Sequence, residues 1–199
     1  MHETRKKILE TAFKLFLEKG YDKVSMNEII RKADVSKGGF YYHFKSKENL
    51  YKETIENYFL FYFNSSTPEI KPEASLKEQV LTVCEYYIKP FKDVRKILDT
   101  QHQTLNYYLL LIQSAQKYSK IRKRLNEFTR QKEAHLSEII QNAREKNEIK
   151  NWVNANTTAK HILYLLEGTL YAAIIENKLN ISNNYQKVVD HFLSKILIT

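Results

Sequence analysis

Glycine and proline punctuate the turns between strands, and this chain holds only four of the one and three of the other in 199 residues. Average usage is about 7% and 5%, and a sandwich or barrel needs turn signals every 8–12 residues or so. No run of alternating apolar and polar residues bounded by turn residues compensates. The chain is therefore expected to be all-α, with about nine helices. A single cysteine, Cys84, cannot close an intramolecular disulfide and is too little for a structural zinc site, which points to a reducing compartment.

The polar composition narrows the partners. Thirty-two Lys+Arg against 23 Asp+Glu give a net charge of +9, favouring a polyanion such as nucleic acid or an anionic surface. The first fifty residues hold eleven basic and seven acidic side chains, so positive charge is densest at the front. MHETRKKILE lacks the apolar core and small-residue cleavage site of a secretion signal. The longest apolar stretch, Ile162 to Ile175, contains Glu167 and Gly168 and falls short of the ~20 residues that cross a bilayer. A cytoplasmic protein with no membrane partner is the expectation.

Periodicity orders the front of the chain. From Arg5 to Lys19, Ile8, Leu9, Ala12, Phe13, Leu15 and Phe16 recur at three- and four-residue spacing, and Gly20 stands where a left-handed helix cap belongs. Ser25-Met-Asn-Glu28 reads as a reciprocal capping box opening a short second helix with Ile29, Ile30 and Ala33. After an Asp34-Val35 turn, Ser36 caps a third helix, 37–44, and Ser46 a fourth, 47–63. The stretch 64–75, with Pro68 and Pro72, is the linker candidate. Helices at 76–87 (ended or kinked by Pro90), 91–99, 102–118 and 120–146 follow, then an apolar helix 156–178 and a striped helix 184–198.

Two short helices joined by a tight turn at 25–44 fit a helix-turn-helix, whose second helix enters the major groove of DNA. On a helical wheel Phe40 and Phe44 share one side, leaving Gly38 and Tyr42 opposite and Gly39 and Tyr41 on the flanks. Each glycine costs a helix roughly 1 kcal/mol, which suggests that Gly38 and Gly39 serve close contact rather than folding. Lys37 is poorly placed for the helix dipole but well placed for a guanine or phosphate, although a plain surface lysine fits too. Tyr41, Tyr42 and His43 can donate to phosphate, with helix packing the alternative for His43, and the helix starts at Ser25 and Lys47 can receive phosphate.

The run from Arg5 through Leu50 resembles the DNA-binding domain of the tetracycline-repressor (TetR) family. The resemblance rests on Ala12-x-x-Leu-Phe16, Gly20-Tyr21, Ile29-Ile30 with Ala33, Ser36-Lys-Gly-x-Phe-Tyr-Tyr-His-Phe44 and Lys47-Glu48-x-Leu50. It implies DNA contacts at Ser25, Met26, Ser36, Lys37, Gly38, Gly39, Tyr41, Tyr42, His43 and Lys47. It further implies a head at 1–47 and a ligand-binding and dimerisation domain at 48–199, joined through helix 47–63. A homodimer through helices 156–178 and 184–198, a palindromic double-stranded operator and release by a small-molecule inducer complete the expectation. The alternative is a DNA-binding interaction protein that recruits or blocks a protein partner without an inducer.

For the effector, Tyr86, Tyr87, Phe91, Tyr107 and Tyr108 supply apolar bodies with polar tips, though tyrosines at helical spacing also build cores. Glu167 has three readings: recognition of a cationic ligand, a pair across the dimer, or a solvent-facing acid. Lys120, Arg122, Lys123 and Arg124 read as the solvated start of a helix, with phosphate contact the alternative. The histidines show no metal-binding spacing, Cys84 reads as a small core residue, and no catalytic constellation is visible. Neither metal, cofactor nor enzymatic activity is expected.

Overall fold

The computed structural model describes residues 3–58, 68–97, 102–176 and 181–198; side chains at 90, 91, 93–105, 174 and 181–183 also lie outside the described set. Among the described residues there are nine helices: α1 (Glu3–Lys19), α2 (Met26–Ala33), α3 (Lys37–His43), α4 (Lys47–Tyr58), α5 (Leu76–Ile97), α6 (His102–Lys117), α7 (Ser119–Glu145), α8 (Ala155–Ile175) and α9 (Ile181–Ile196). One isolated β-bridge, Ile149 to Leu197, is the extended pairing among them. The expected residues 59–63 of the fourth helix, 64–67 of the linker, 98–99 and 177–178 lie outside the described residues.

Two compact units form, Met1–Ser65 with Asp93–Leu125, and Ser66–Lys92 with Asn126–Thr199. In the first, α1 packs against α2, α3, α4 and α6. Its apolar positions, Ile8, Leu9, Ala12, Phe13, Leu15, Phe16 and Leu17, are all buried, matching the spacing in the sequence. Gly20 ends α1 at φ 78°, its amide donating to the Phe16 carbonyl at 2.9 Å, a conformation that a side chain with Cβ resists. Polar ties fix α6 to this unit. Asn106 Nδ2 donates to the Leu17 carbonyl at 2.6 Å, and the Tyr51 and Ser114 hydroxyls share a hydrogen bond at 2.8 Å.

In the second unit α8 and α9 pack together. Ile162, Leu163, Leu166, Leu170 and Ala173 of α8 and Tyr185, Val189, Leu193 and Ile196 of α9 are buried. Among the described residues a complete serine-started capping box is made by Ser75 with Glu78, on α5: the Glu78 amide donates to Ser75 Oγ at 3.3 Å and the Ser75 amide to Glu78 Oε2 at 2.9 Å. Helix α5 runs through Pro90 to Ile97 rather than stopping before it. A proline removes one backbone donor and crowds the carbonyl four residues back, and here the buried stripe Leu76, Val80, Val83, Cys84, Tyr87 and Ile88 anchors the helix up to that point. Helix α7 closes on Asn147 at φ 58°, an asparagine doing what glycine does after α1.

Candidate nucleic-acid interface

The turn between α2 and α3 is set by three local devices. Ser25 caps α2, its Oγ accepting from the Glu28 amide at 3.1 Å. Asp34 ends α2 in the left-handed region at φ 50°, its amide donating to the Arg31 carbonyl at 3.2 Å. Ser36 then caps α3, Oγ accepting from the Gly39 amide at 3.0 Å. The Glu28 half of the expected capping box is not made. Its carboxylate turns to Lys19 Nζ at 2.5 Å, which holds the Glu28 carboxyl below its usual range. A residue of the preceding helix outcompetes the Ser25 amide, and no local motif could reveal that.

Helix α3 has a buried back and an open front. Phe40 and Phe44 are fully buried with ring centroids 6.1 Å apart, so the helix is pinned along one side. Tyr42, on the other side, is 77% exposed, Lys37 and Gly38 are exposed, and Tyr41 is exposed while stacking edge-on against Phe40 at 5.5 Å. Gly39 and His43 are half-buried on the flanks, the His43 ring meeting Tyr42 edge-on at 5.0 Å. Met26 is half-buried at the first position of α2.

The two glycines separate. A Cβ built on Gly38 meets nothing within 4 Å, whereas one on Gly39 would stand 3.2 Å from Ser36 Oγ, the capping atom. Gly39 therefore has a reason inside the chain, which corrects the expectation that both glycines serve contact alone. Gly38 has none, and still stands in a helix where alanine is better by roughly 1 kcal/mol.

Lys47 is occupied in this structure. Its Nζ donates to the Asp22 carbonyl at 3.3 Å and lies 4.3 Å from the centroid of the Tyr21 ring. Burial pushes its pKa down, against the opposing charge of Asp22. Lys117 of α6 shares the Tyr21 ring at 5.2 Å and pairs with Glu48 at 3.1 Å, which fixes the start of α4 from outside the helix-turn-helix. Sequence spacing gave no hint of this clamp, because Lys117 lies far along the chain from both Tyr21 and Glu48.

The residues named for an effector fall into both units. In the second, Tyr87 is buried with its hydroxyl hydrogen-bonded to His135 Nδ1 at 2.7 Å, and burial raises its pKa; Tyr86 is half-buried and edge-on to it at 5.0 Å. Glu167 pairs with Lys132 at 2.7 Å, a partner on α7 that none of its three readings anticipated. Lys132 Nζ also lies 4.9 Å and 5.6 Å from the Phe128 and Tyr87 ring centroids, so it brings Tyr87 and Glu167 into one cluster. In the first unit Tyr107 is buried and Tyr108 half-buried, and Tyr108 lines an open cleft of about 340 Å³ between α6 and α7. The Phe91 side chain lies outside the described residues. Cys84 is buried, which pushes its thiol up to about 12 and leaves it a core residue.

A seven-residue helix seated by two phenylalanines, with a glycine and tyrosine front projecting from a capped turn, has the form of a helix-turn-helix. Residues 8–54 match the family model described as "Bacterial regulatory proteins, tetR family". Residues 8–54 thus carry an N-terminal domain of the TetR family. The chain is 39% identical over 97 residues to the HTH-type transcriptional regulator YuxN of Bacillus subtilis, a match spanning 47% of this chain and 33% of that protein. Thus the chain aligns with only about a third of the curated relatives that it matches first. The HTH-type transcriptional repressor NemR of Escherichia coli is 26% identical over 150 residues, 73% of this chain and 71% of that one. A chain of Saccharomonospora viridis solved in complex with choline superposes over 100% of both chains with a TM-score of 0.71 at 18% identity, a likeness of fold. No helix among the described residues is long and apolar enough to cross a membrane.

Proposed function

We propose that this chain is a homodimeric transcriptional repressor that binds a palindromic operator through α3 and is released by a small-molecule inducer. The observation that carries the reading is Gly38, an exposed helix glycine with open space at its Cβ, set beside exposed Lys37 and Tyr42 on the front of a helix whose back is fully buried. Nothing among the described residues accounts for glycine there, whereas close approach of backbone to a base edge does. Ser25, Met26, Ser36, Gly39, Tyr41, His43 and Lys47 surround that front as phosphate and sugar contacts that set its register. In this division of labour residues 1–47 read DNA and 48–199 bind effector and partner copy, in the cytoplasm where the DNA is, with no catalytic role.

The dimer reading rests on α8. His161, Tyr164, Gly168, Tyr171, Ala172 and Ile175 are all exposed and recur at helical spacing, so one mostly apolar stripe of the helix is uncovered while Ile162, Leu163, Leu166, Leu170 and Ala173 are buried. Gly168, in mid-stripe, has open space where a Cβ would stand, which suits close approach of a second α8. A two-fold axis beside α8 and α9 makes a four-helix interface, and a palindromic operator asks for two copies of α3 about 34 Å apart, one turn of DNA. Titrating salt against binding to the promoter fragment of the chain's own gene tests the reading. Affinity falls steeply with salt as phosphates are neutralised, and Tyr42→Ala abolishes binding with the helical spectrum unchanged. Binding that ignores salt, or survives Tyr42→Ala, removes the assignment.

A further inference from the structure

We infer that the cleft between α6 and α7 is a binding site for an amphipathic carboxylate, with Arg122 holding the carboxylate and the cleft wall its apolar body. The inference deepens the effector part of the proposed function, giving the inducer a place and a chemistry.

The site is built by the helical spacing of two elements. Tyr108, Leu111, Ile112 and Ala115 lie on one face of α6, and Arg122 and Leu125 on one face of α7, with the single residue Tyr118 joining the two helices. Together they line an open cleft of about 340 Å³, at the small end of the 300–1,000 Å³ or so typical of ligand sites. Leu111 is buried at the floor, but Ile112 is 53% exposed although it faces the cleft. An apolar wall left wet in this way gains from any apolar body that covers it.

Charge selects the other end of that body. Among the described residues the cleft lining contains no acidic side chain; Arg122 is its one charged group there, with Gln116 as a neutral polar neighbour. Three acids are paired with other bases: Glu48 and Glu56 of α4 with Lys117 at 3.1 Å and Lys120 at 3.2 Å, and Glu127, the next acid along α7, with Arg130. The Arg122 guanidinium makes no ion pair or hydrogen bond among the described residues, and Lys123 and Arg124 follow it, both exposed. A planar guanidinium at the mouth of an apolar cleft, inside a stretch of positive charge, is matched by a carboxylate on an alkyl or aryl body. It is mismatched to a cationic amphiphile.

Equilibrium binding of octanoate, 1-octanol and octylammonium to the full chain, measured by calorimetry without DNA, tests this. Octanoate binds about tenfold or more tighter than either analogue, the effect of one charge-assisted contact. Arg122→Glu abolishes that preference and Arg122→Lys keeps part of it, while Ile112→Asp weakens all three ligands, each variant retaining the wild-type helical spectrum. No saturable octanoate binding, an affinity unmoved by Arg122→Glu, or octylammonium binding as tightly as octanoate overturns the inference. Retention of the promoter fragment by the ligand-free chain is scored separately. Its loss sinks the regulator reading and leaves the cleft standing, and loss of octanoate binding does the reverse.

Discussion

Gly38→Ala and Gly39→Ala change the same atom on neighbouring residues and should move stability in opposite directions. Alanine outranks glycine in a helix by about 1 kcal/mol, and in the first turn of a helix as short as α3 about half of that, ~0.5 kcal/mol, is a fair expectation. The new Cβ at Gly38 meets nothing, so none of this gain is spent on strain. For a chain of this size it raises the melting temperature by roughly 1–2 °C. At Gly39 the Cβ stands 3.2 Å from Ser36 Oγ, which must move and weaken the cap it makes on the Gly39 amide. A serine cap is worth about 1 kcal/mol, so Gly39→Ala comes out destabilising by roughly 0.5 kcal/mol after the propensity gain. DNA affinity should show the complementary pattern. A methyl group on the front of α3 holds the backbone off the base edges, and losing a contact worth 1 kcal/mol or so in each of two half-sites weakens promoter binding by about thirtyfold. Thermal melts by circular dichroism and mobility-shift titrations of both variants read the two quantities. Gly38→Ala that lowers the melting temperature, or binds the promoter within threefold of wild type, refutes the reasoning.

Glu167→Ala should destabilise the chain by about 2 kcal/mol and Lys132→Met by much less, since the Lys132 side chain is only 8% exposed and Glu167 43%, so only the first strands a buried charge; denaturant melts in the reverse order contradict the pairing. Tyr171→Glu, which places a charge on the exposed stripe of α8, should give a monomer in sedimentation experiments at concentrations where the wild type is a dimer, and an unchanged sedimentation coefficient argues against that interface. Alkaline stability follows from burial: Tyr58 and Cys84 are pushed up to about 12, and Tyr51, Tyr87, Tyr118 and Tyr185 are also raised, with desolvation the first cause throughout. In the unfolded chain these groups lose protons near 9 to 10, before the folded ones do, so the folded state binds more protons above that pH and stability falls as pH rises. Melting temperature should hold from pH 7 to about 9 and drop steeply beyond 10; a flat profile to 11.5 contradicts this.

Most of the front of the chain was legible because its determinants are local. Gly20 closes α1, Ser25 and Ser36 cap their helices, and Phe40 and Phe44 go inward while Tyr42 stays out, each set by neighbours within four residues. The readings that changed involve distant partners. Glu28 prefers Lys19 to its own cap, Glu167 meets Lys132 from another helix, and Lys117 reaches Glu48. Gly39 reads as a contact glycine until the position of Ser36 Oγ is known. Pro90 reads as an end or a kink because the loss of a backbone donor is visible in the sequence, yet α5 runs on to Ile97. The cleft of Tyr108, Ile112 and Arg122 was hidden similarly: the basic run was seen as a solvated helix start, and only the fold sets Arg122 beside the apolar face of α6.

The orientation of α3 on DNA can be read by dimethyl sulfate footprinting of the promoter complex, which reports guanine N7 in the major groove and adenine N3 in the minor. Two clusters of protected guanine N7 atoms, centred about one helical turn or a multiple apart and both lost in Tyr42→Ala, are predicted. Protection confined to adenine N3, or a single cluster without a symmetric mate, contradicts the account.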